Sequence, residues 1–286
     1  MPMNYEQLMA MKNLGQIYSY GNREVMLYAY GIGMGADPQD EKELAFVNEA
    51  TATPRPLKVV PTFASVAAWG ARPGEMNLNR VMVVDGERDI TFHRPLATAA
   101  HITADSAVLA VFDKGKDKGA VIRHQTVLKN TDGEPQATLV ASLFARGDGG
   151  FGGPSEGQPE PHLVPTRAPD LTVDISTRPD QALIYRLCGD RNPLHSDPEF
   201  AKCAGFPRPI LHGMCTYGIT CRGILQTYAD YDPTAFRRHA ARFSSAVYPG
   251  ETVTLYMWRD GNVISFEAKV KARGVTVIKN GMTVLS

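Results

Sequence analysis

The sequence predicts an α+β fold built from two similar halves in tandem, each with a helix followed by antiparallel strands. The chain has 286 residues, of which 43% are hydrophobic, which is enough for two cores of ordinary domain size. A Gly- and Pro-rich stretch over residues 147–170, GDGGFGGPSEGQPEPHLVPTRAPD, interrupts regular structure near the middle. We therefore predict a first domain over residues 1–147, a linker over 148–172 and a second domain over 173–286.

The second half carries the clearer pattern of elements. A short helix is predicted over Gln181–Cys188 and a long one over His212–Tyr228, with a polar, proline-containing loop between them. One long helix followed by an antiparallel meander is typical of the hot-dog fold, in which a sheet wraps around a central helix. Four runs with strand character, separated by turn residues such as Asp260-Gly261, supply that meander: Ala240–Tyr248, Thr252–Trp258, Val263–Ala272 and Val275–Leu285.

The first half repeats the same order of elements. A helix is predicted from about Pro61 to Gly70, after a polar loop. The strands that follow are predicted around Arg80–Val84, Asp89–His93, Ser106–Phe112, Gly119–Leu128 and Gln136–Ala145. We therefore predict a tandem (double) hot-dog, with two antiparallel sheets that each wrap a long central helix.

The charge and the apolar pattern exclude several classes of protein. Thirty Lys and Arg residues balance thirty Asp and Glu residues, so no overall field draws the chain to nucleic acid or to an anionic membrane. The N-terminal residues contain no apolar run of signal-peptide length, and no stretch reaches the ~20 apolar residues of a membrane span. The C-terminal Val284-Leu285-Ser286 differs from the Ser-Lys-Leu peroxisomal signal. We expect a cytoplasmic protein that binds neither nucleic acid nor membrane.

The cysteines and tryptophans favour structural roles. Cys188, Cys203, Cys215 and Cys221 form no CxxC pair, so buried reduced thiols are expected rather than a zinc site. Trp69 and Trp258 are predicted to lie in the core.

One carboxylate and one imidazole stand five residues apart in the loop before the long helix. Asp190 and His195, separated by a Pro-containing run, could converge on a single water molecule. Groups that shuttle protons near neutral pH are what the addition of water to an activated alkene requires. On spacing alone, a turn aspartate and a polar loop histidine remain the commoner interpretation.

The start of the long helix supplies a further candidate group. His212-Gly213 stands at this start, where a backbone N–H without an intrahelical partner can face a developing negative charge. A thioester carbonyl that becomes an enolate needs such a donor. An ordinary helix start beside a close approach is an equally good interpretation of this pair alone.

Together these residues resemble a known family. The run from Tyr185 to Phe206, with its D-x-N-P-x-H signature and the following Ile210-Leu211-His212-Gly213, is similar to the R-specific 2-enoyl-CoA hydratases (hydratase 2) of the MaoC-like dehydratase group. Eighteen residues separate His195 from Gly213, as in that family. Further segments look like the double hot-dog form: Val60-Pro61-Thr62-Phe63, Arg94-Pro95-Leu96, Asp113-Lys114-Gly115, Lys118-Gly119-Ala120, Gly149-Gly150-Phe151-Gly152 and Arg242-Phe243-Ser244.

The resemblance implies an activity and the residues that perform it. It implies reversible hydration of a trans-2-enoyl-CoA to a (3R)-3-hydroxyacyl-CoA by a homodimer, without a metal or a redox cofactor. Asp190 and His195 would be the catalytic pair, Asn192 would help to position the water and the acyl group, and Gly213 would donate its N–H to the thioester oxygen. The implied acyl-CoA contacts are Asp85, Gly86, Lys114, Arg191, Pro193, Leu194 and Phe243. Asp85 stands where relatives usually have His, which puts that contact in doubt.

The first half departs from the catalytic pattern. When Tyr28 is matched to Tyr185, Gly33 falls at the position of Asp190 and Pro38 at that of His195. We therefore predict one active site per chain, with the first half accommodating the acyl chain. Three alternatives stay open: a dehydratase specialised for a branched, dicarboxylic or steroid side-chain acyl-CoA or for acyl carrier protein, a hot-dog thioesterase, and a non-catalytic acyl-CoA binder.

Overall fold

A single antiparallel sheet runs through the molecule in the computed structural model, which describes residues 4–50, 56–79 and 82–286. Its ten strands are β1 (Lys12–Tyr20), β2 (Val83–Phe92), β3 (Ala100–Asp113), β4 (Ala120–Lys129), β5 (Pro135–Ala145), β6 (Leu171–Ser176), β7 (Phe236–Phe243), β8 (Thr252–Asp260), β9 (Val263–Val270) and β10 (Val275–Leu285). The strand order across the sheet is β1-β3-β4-β5-β2-β7-β10-β9-β8-β6.

Seven helices accompany the sheet in the described residues. They are α1 (Tyr5–Met9), α2 (Asn22–Gly31), α3 (Glu41–Val47), α4 (Ala64–Ala67), α5 (Gln181–Tyr185), α6 (Pro198–Cys203) and α7 (Gly213–Tyr228). Short 3-10 turns cover Pro61–Phe63, Arg186–Cys188, Pro193–His195, Pro233–Ala235 and Lys271–Arg273. Within the described residues, no helix is both long enough and apolar enough to cross a membrane.

The tandem hot-dog is confirmed, but its two sheets are not separate. The five strands of the first half and the five of the second join where β2 pairs with β7, Asp89 lying opposite Ala240. Each of these strands would otherwise be a sheet edge with unpaired N–H and C=O groups. The pairing of β2 with β7 gives these N–H and C=O groups hydrogen-bond partners and places the two halves side by side in one sheet.

The long central helix exists only in the second half of the described chain. Helix α7 spans 16 residues, ten of which are buried. In the first half, the helix predicted from about Pro61 to Gly70 is reduced to a 3-10 turn and the four-residue α4. The backbone leaves helical geometry at Ala68 (φ −123°, ψ 57°), and Gly70 follows with a positive φ of 89°. The prediction of a central helix in each half is therefore wrong for the first half.

Two strands were missed because they carry little apolar alternation. Strands β1 and β6 are the outer edges of the sheet, and most of their residues are partly or fully exposed. The strands predicted around Arg80–Val84 and Asp89–His93 are one strand, β2, with a bulge at Gly86; Arg80 and Val81 lie outside the described residues. Strand β7 begins at Phe236, four residues before the prediction, and ends at Phe243.

The predictions that the cysteines and the tryptophans are buried are confirmed in part. All four cysteines are free, with Cys215 and Cys221 fully buried but Cys203 exposed. Trp258 is 6% exposed and belongs to the core as predicted, whereas Trp69 is 42% exposed. Trp69 instead packs on Gly189, because a Cβ at Gly189 would overlap its indole ring.

Candidate active site

The loop between α5 and α6 is held in shape by two of its own polar side chains. Oδ1 of Asp190 accepts the N–H of Asn192 at 3.0 Å, and Oδ1 of Asn192 accepts the N–H of Leu194 at 3.0 Å. The second interaction caps the 3-10 turn Pro193–His195. Asp190 is thus a turn residue as well as a catalytic candidate. Its other oxygen, Oδ2, makes no hydrogen bond to any residue that the structure describes, and it remains available to a ligand.

His195 is oriented as a neutral base. Its Nδ1 lies 2.9 Å from the carbonyl oxygen of Ile210, and a carbonyl oxygen can only accept, so Nδ1 carries the proton and Nε2 keeps its lone pair. The side chain is 8% exposed. Burial lowers the pKa of His195, while the Ile210 carbonyl, Asp190 and Asp85 act in the opposite direction. An imidazole in this state can accept a proton from water at neutral pH.

His212 packs against the ring of His195. The two imidazole rings stack with their centroids 3.7 Å apart and their planes 27° from parallel. Nε2 of His212 lies 3.2 Å from the backbone oxygen of Asp190, so it ties the start of α7 to the catalytic loop. Burial, and then His195, lower the pKa of His212 to about 3, which keeps it neutral. His212 was predicted only as the start of a helix. Its stacking on His195 was missed, because a stacking contact leaves no spacing signal.

Asp190, His195 and His212 bring ligand atoms within 4.8 Å of one another. The near-parallel rings do not suit a metal ion, because imidazole lone pairs that lie in stacked planes do not converge on one point. One nitrogen of each ring also faces a carbonyl oxygen. The geometry suits a small hydrogen-bonding molecule such as water better than a metal ion.

The first residue of α7 offers a backbone donor to the same place. Gly213 follows the N-cap His212, and its N–H has no acceptor among the described residues. A Cβ at Gly213 would lie 3.4 Å from the ring of Phe243, so the ring packs against this glycine. Because the N-terminus of a 16-residue helix carries partial positive charge, the site can stabilise negative charge on an oxygen.

The candidate CoA contacts divide into two groups. Asp85 lies near the catalytic loop, where its charge acts on His195, and Gly86 forms the bulge beside it. Phe243 lies against Gly213, and Pro193 and Leu194 belong to the catalytic loop itself.

Lys114 and Arg191 are not drawn into the catalytic centre. The ammonium group of Lys114 donates to the backbone oxygen of Ser155 and lies 5.7 Å from the ring centroid of Phe112. Arg191 is exposed and lines an open groove with Tyr30 and Leu187.

Comparison with known proteins identifies the family. The protein-family model for the MFE-2 hydratase 2 N-terminal domain matches residues 18–147, and that for the MaoC like domain matches residues 162–281. The chain belongs to the MaoC-like hydratase 2 family. It is 40% identical over 273 residues to enoyl-CoA hydratase ChsH3 of Mycobacterium tuberculosis, covering 93% of this chain and 92% of that protein. It is 37% identical over 291 residues to the peroxisomal enoyl-CoA hydratase 2 of Arabidopsis thaliana, covering 96% and 93%.

Solved structures agree with this assignment. A MaoC-like dehydratase from Phytophthora capsici superposes with a TM-score of 0.87 at 30% identity, covering 98% of each chain. The full-length peroxisomal multifunctional enzyme type 2 of Drosophila melanogaster gives a TM-score of 0.82 at 31% identity, covering 96% of this chain and 48% of that one.

In this MaoC-like hydratase, the first-half counterpart of the catalytic loop is built around an ion pair. Arg222 of α7 binds Glu43 of α3 at 2.6 Å, and their side chains are 12% and 4% exposed. Glu43 also accepts the N–H of Gly35 at 2.9 Å. The rings of Tyr28 and Tyr185, which the sequence matched to each other, lie 6.0 Å apart between the two loops. Sequence reasoning missed the Glu43–Arg222 pair, since its members are 179 residues apart.

Proposed function

We propose that this protein adds water reversibly to a trans-2-enoyl-CoA and gives a (3R)-3-hydroxyacyl-CoA. One observation carries the proposal: a neutral His195 with Nε2 free stands beside the carboxylate of Asp190 and the N-terminus of α7. The relatives named enoyl-CoA hydratase and 3-hydroxyacyl-thioester dehydratase support the same chemistry.

The geometry suggests a role in the reaction for each of these residues. The N–H of Gly213 binds the thioester oxygen and stabilises the enolate that forms when water attacks. A water molecule held between Asp190 and Nε2 of His195 adds its oxygen to C3 and gives one proton to this pair. The pair returns one proton to C2, so that H and OH add to the same face and no other reactant is consumed. In the reverse direction the same groups remove water.

The remaining features of the proposal follow the family resemblance. Asn192, Pro193 and Leu194 position the acyl group, Phe243 lines the path of the pantetheine arm, and Gly86 leaves room beside it. Asp85, Lys114 and Arg191 contact the CoA moiety. The reaction uses no metal or redox cofactor, and the protein works as a cytoplasmic homodimer.

The test follows the absorbance of the enoyl thioester with crotonyl-CoA and trans-2-decenoyl-CoA. Wild type should consume both and release the (3R) alcohol, as read on a chiral column. Asp190→Asn and His195→Gln should each lower kcat/KM by about 10² or more. Matched controls are Asp232→Asn, which alters a turn-capping aspartate beyond the C-terminal end of α7, and His101→Gln, which alters an exposed histidine at the start of β3.

The outcomes separate the alternatives. Release of free CoA without loss of the double bond would identify a thioesterase. Binding of CoA esters without turnover would identify an enzyme specialised for another acyl group or a carrier. Equal losses in the control variants would remove Asp190 and His195 from the mechanism.

A further inference from the structure

A row of residues across four strands carries polar groups on the inner face of the sheet. Arg88 of β2 lies opposite Ala241 of β7 on one side and Ala141 of β5 on the other. His124 of β4 lies opposite the same Ala141. Partners that face each other across strands point to the same side of a sheet, and Ala241 packs in the core at 4% exposure. Arg88 and His124 therefore face inward, with small alanines beside them.

Arg88 reaches the start of α7. Its Nη2 donates to Asp85 at 2.6 Å, and its Nε lies 3.2 Å from Sδ of Met214, the residue after Gly213. Its Nη1 is buried without a hydrogen-bond partner in the described parts of the chain. The side chains of Arg88 and Asp85 are 19% and 35% exposed, so water reaches Asp85 more easily than the deeper guanidinium. One strong donor thus points inward beside the proposed oxyanion site.

The neighbouring His124 extends this polar surface. Its Nδ1 is also buried and has no partner among the described residues. Burial, and then the charge of Arg88, lower the pKa of His124 to about 4, so its ring is neutral at physiological pH. The charge of Asp85 in turn acts on His195. Because Arg88 contacts Met214, the residue after Gly213, this polar row lies beside the start of α7.

A plain alkyl chain does not match this surface. It would cover the inward donor of Arg88 and the ring of His124 without giving either a hydrogen bond, which is unfavourable for buried polar groups. An oxygen in the acyl group would satisfy them. Because Asp85 already balances the charge of Arg88, the oxygen acceptor can be a neutral carbonyl as well as a carboxylate.

We infer that the acyl group of the physiological substrate carries an oxygen acceptor beyond its double bond and that Arg88 binds it. The inference rests on the proposed hydratase activity and names the substrate class for that same site. Arg88 is then the residue that determines specificity between oxygenated and plain alkyl enoyl thioesters.

Three six-carbon substrates test the inference: trans-2-hexenoyl-CoA, its 5-oxo derivative, and the 2-hexenedioyl monothioester with a terminal carboxylate. Wild type should hydrate at least one oxygenated substrate with kcat/KM ten-fold or more above that of hexenoyl-CoA. The better of the two shows whether a carbonyl or a carboxylate is the acceptor. Equal kcat/KM values for all three would overturn the inference while leaving the hydratase function intact, whereas no hydration of any of them would refute both.

Variants assign the preference to Arg88. Arg88→Gln and Arg88→Met should each bring the oxygenated-to-alkyl ratio close to one while hexenoyl-CoA is still hydrated. Arg238→Gln is the matched control, because it removes another ion-paired arginine from β7 on the outer face of the sheet, where it binds Asp89 at 2.6 Å. Retention of the wild-type ratio in both Arg88 variants would contradict the assignment, and continued hydration of hexenoyl-CoA shows that each variant is folded.

Discussion

At the scale of single residues, burial lowers the pKa of several histidines far below the usual value. His212 and His239 are 1% and 0% exposed, and burial lowers the pKa of each to about 3. His239 is held between Thr283 at 2.7 Å and Thr220 at 3.0 Å. Together with His124, these residues make the folded protein a poorer proton acceptor than the unfolded chain.

The sign of the resulting pH dependence follows from linkage. The unfolded chain binds protons at these histidines below a pKa near 6.5, whereas the folded protein does so only near pH 3 to 4. The free energy of unfolding is therefore highest above pH 6.5 and decreases as the pH falls. The change from pH 7 to pH 5 should lower the free energy of unfolding by about 2 kcal/mol through His239 alone. Urea unfolding at both pH values should show a smaller difference for His239→Gln than for wild type; an unchanged difference would argue against this assignment.

Gly213 gives a second prediction at this scale. A Cβ there would lie at ordinary contact distance, 3.4 Å, from Phe243, so Gly213→Ala should fold normally. The added methyl group would fill the space through which a thioester oxygen approaches the N–H. We expect kcat/KM to fall by about ten-fold or more, with an unfolding midpoint close to that of wild type. Wild-type kinetics would place the oxyanion donor elsewhere.

At the scale of elements, one carboxylate organises the two loops beside Lys114. Asp113 is 7% exposed and accepts N–H groups from Gly115 at 2.9 Å and from Gly150 and Gly152 at 2.8 Å each. Burial acts to raise the pKa of Asp113, but these backbone donors outweigh it and hold the pKa below its usual value. The end of β3 is thus tied to the Gly-rich stretch that follows β5.

Loss of this carboxylate should loosen both loops. Asp113→Ala leaves three partly buried backbone donors without their acceptor and should lower the unfolding free energy by about 2 kcal/mol. Asp117→Ala, an exposed aspartate in the same β3–β4 loop, is the control and should change it by less than about 0.5 kcal/mol. Denaturant unfolding of the two variants measures the difference, and equal stabilities would show that the loops hold without Asp113.

The helices and strands differ in how closely the sequence predicts them. Helix α7 and the last three strands were predicted closely, because apolar periodicity and turn residues such as Asp260-Gly261 mark them. The edge strands β1 and β6 were missed because exposed edges need little apolar alternation. Asp190 and His195 were predicted from a spaced signature and stay candidates for catalysis, whereas the stacking of His212, the Glu43–Arg222 pair and the inward-facing Arg88 depend on contacts between distant segments.

At the scale of the whole molecule, the halves share one sheet and one buried ion pair. Strand β2 pairs with β7 at the centre of the sheet, and Arg222 of the second half binds Glu43 of the first. We therefore expect a single cooperative unfolding transition in calorimetry. Two separate transitions would show that the halves unfold independently.

The ion pair itself can be tested separately. Arg222→Met leaves the carboxylate of Glu43 buried with only its hydrogen bond from Gly35, and should cost about 3–5 kcal/mol. Arg178→Met, which removes a guanidinium that is paired at the surface with Asp180, should cost less than about 1 kcal/mol. The comparison of their unfolding midpoints measures how much the buried pair contributes.

The joining of both halves in one chain also bears on how such a molecule evolves. In a pair of identical hot-dog subunits, every substitution appears twice, so a change that shortens one central helix shortens both. A covalent tandem removes this symmetry, and each half can change alone. The short α4 in one half and the 16-residue α7 in the other are an asymmetry that a homodimer of single hot-dogs cannot encode, and each half of this chain can change further without the other.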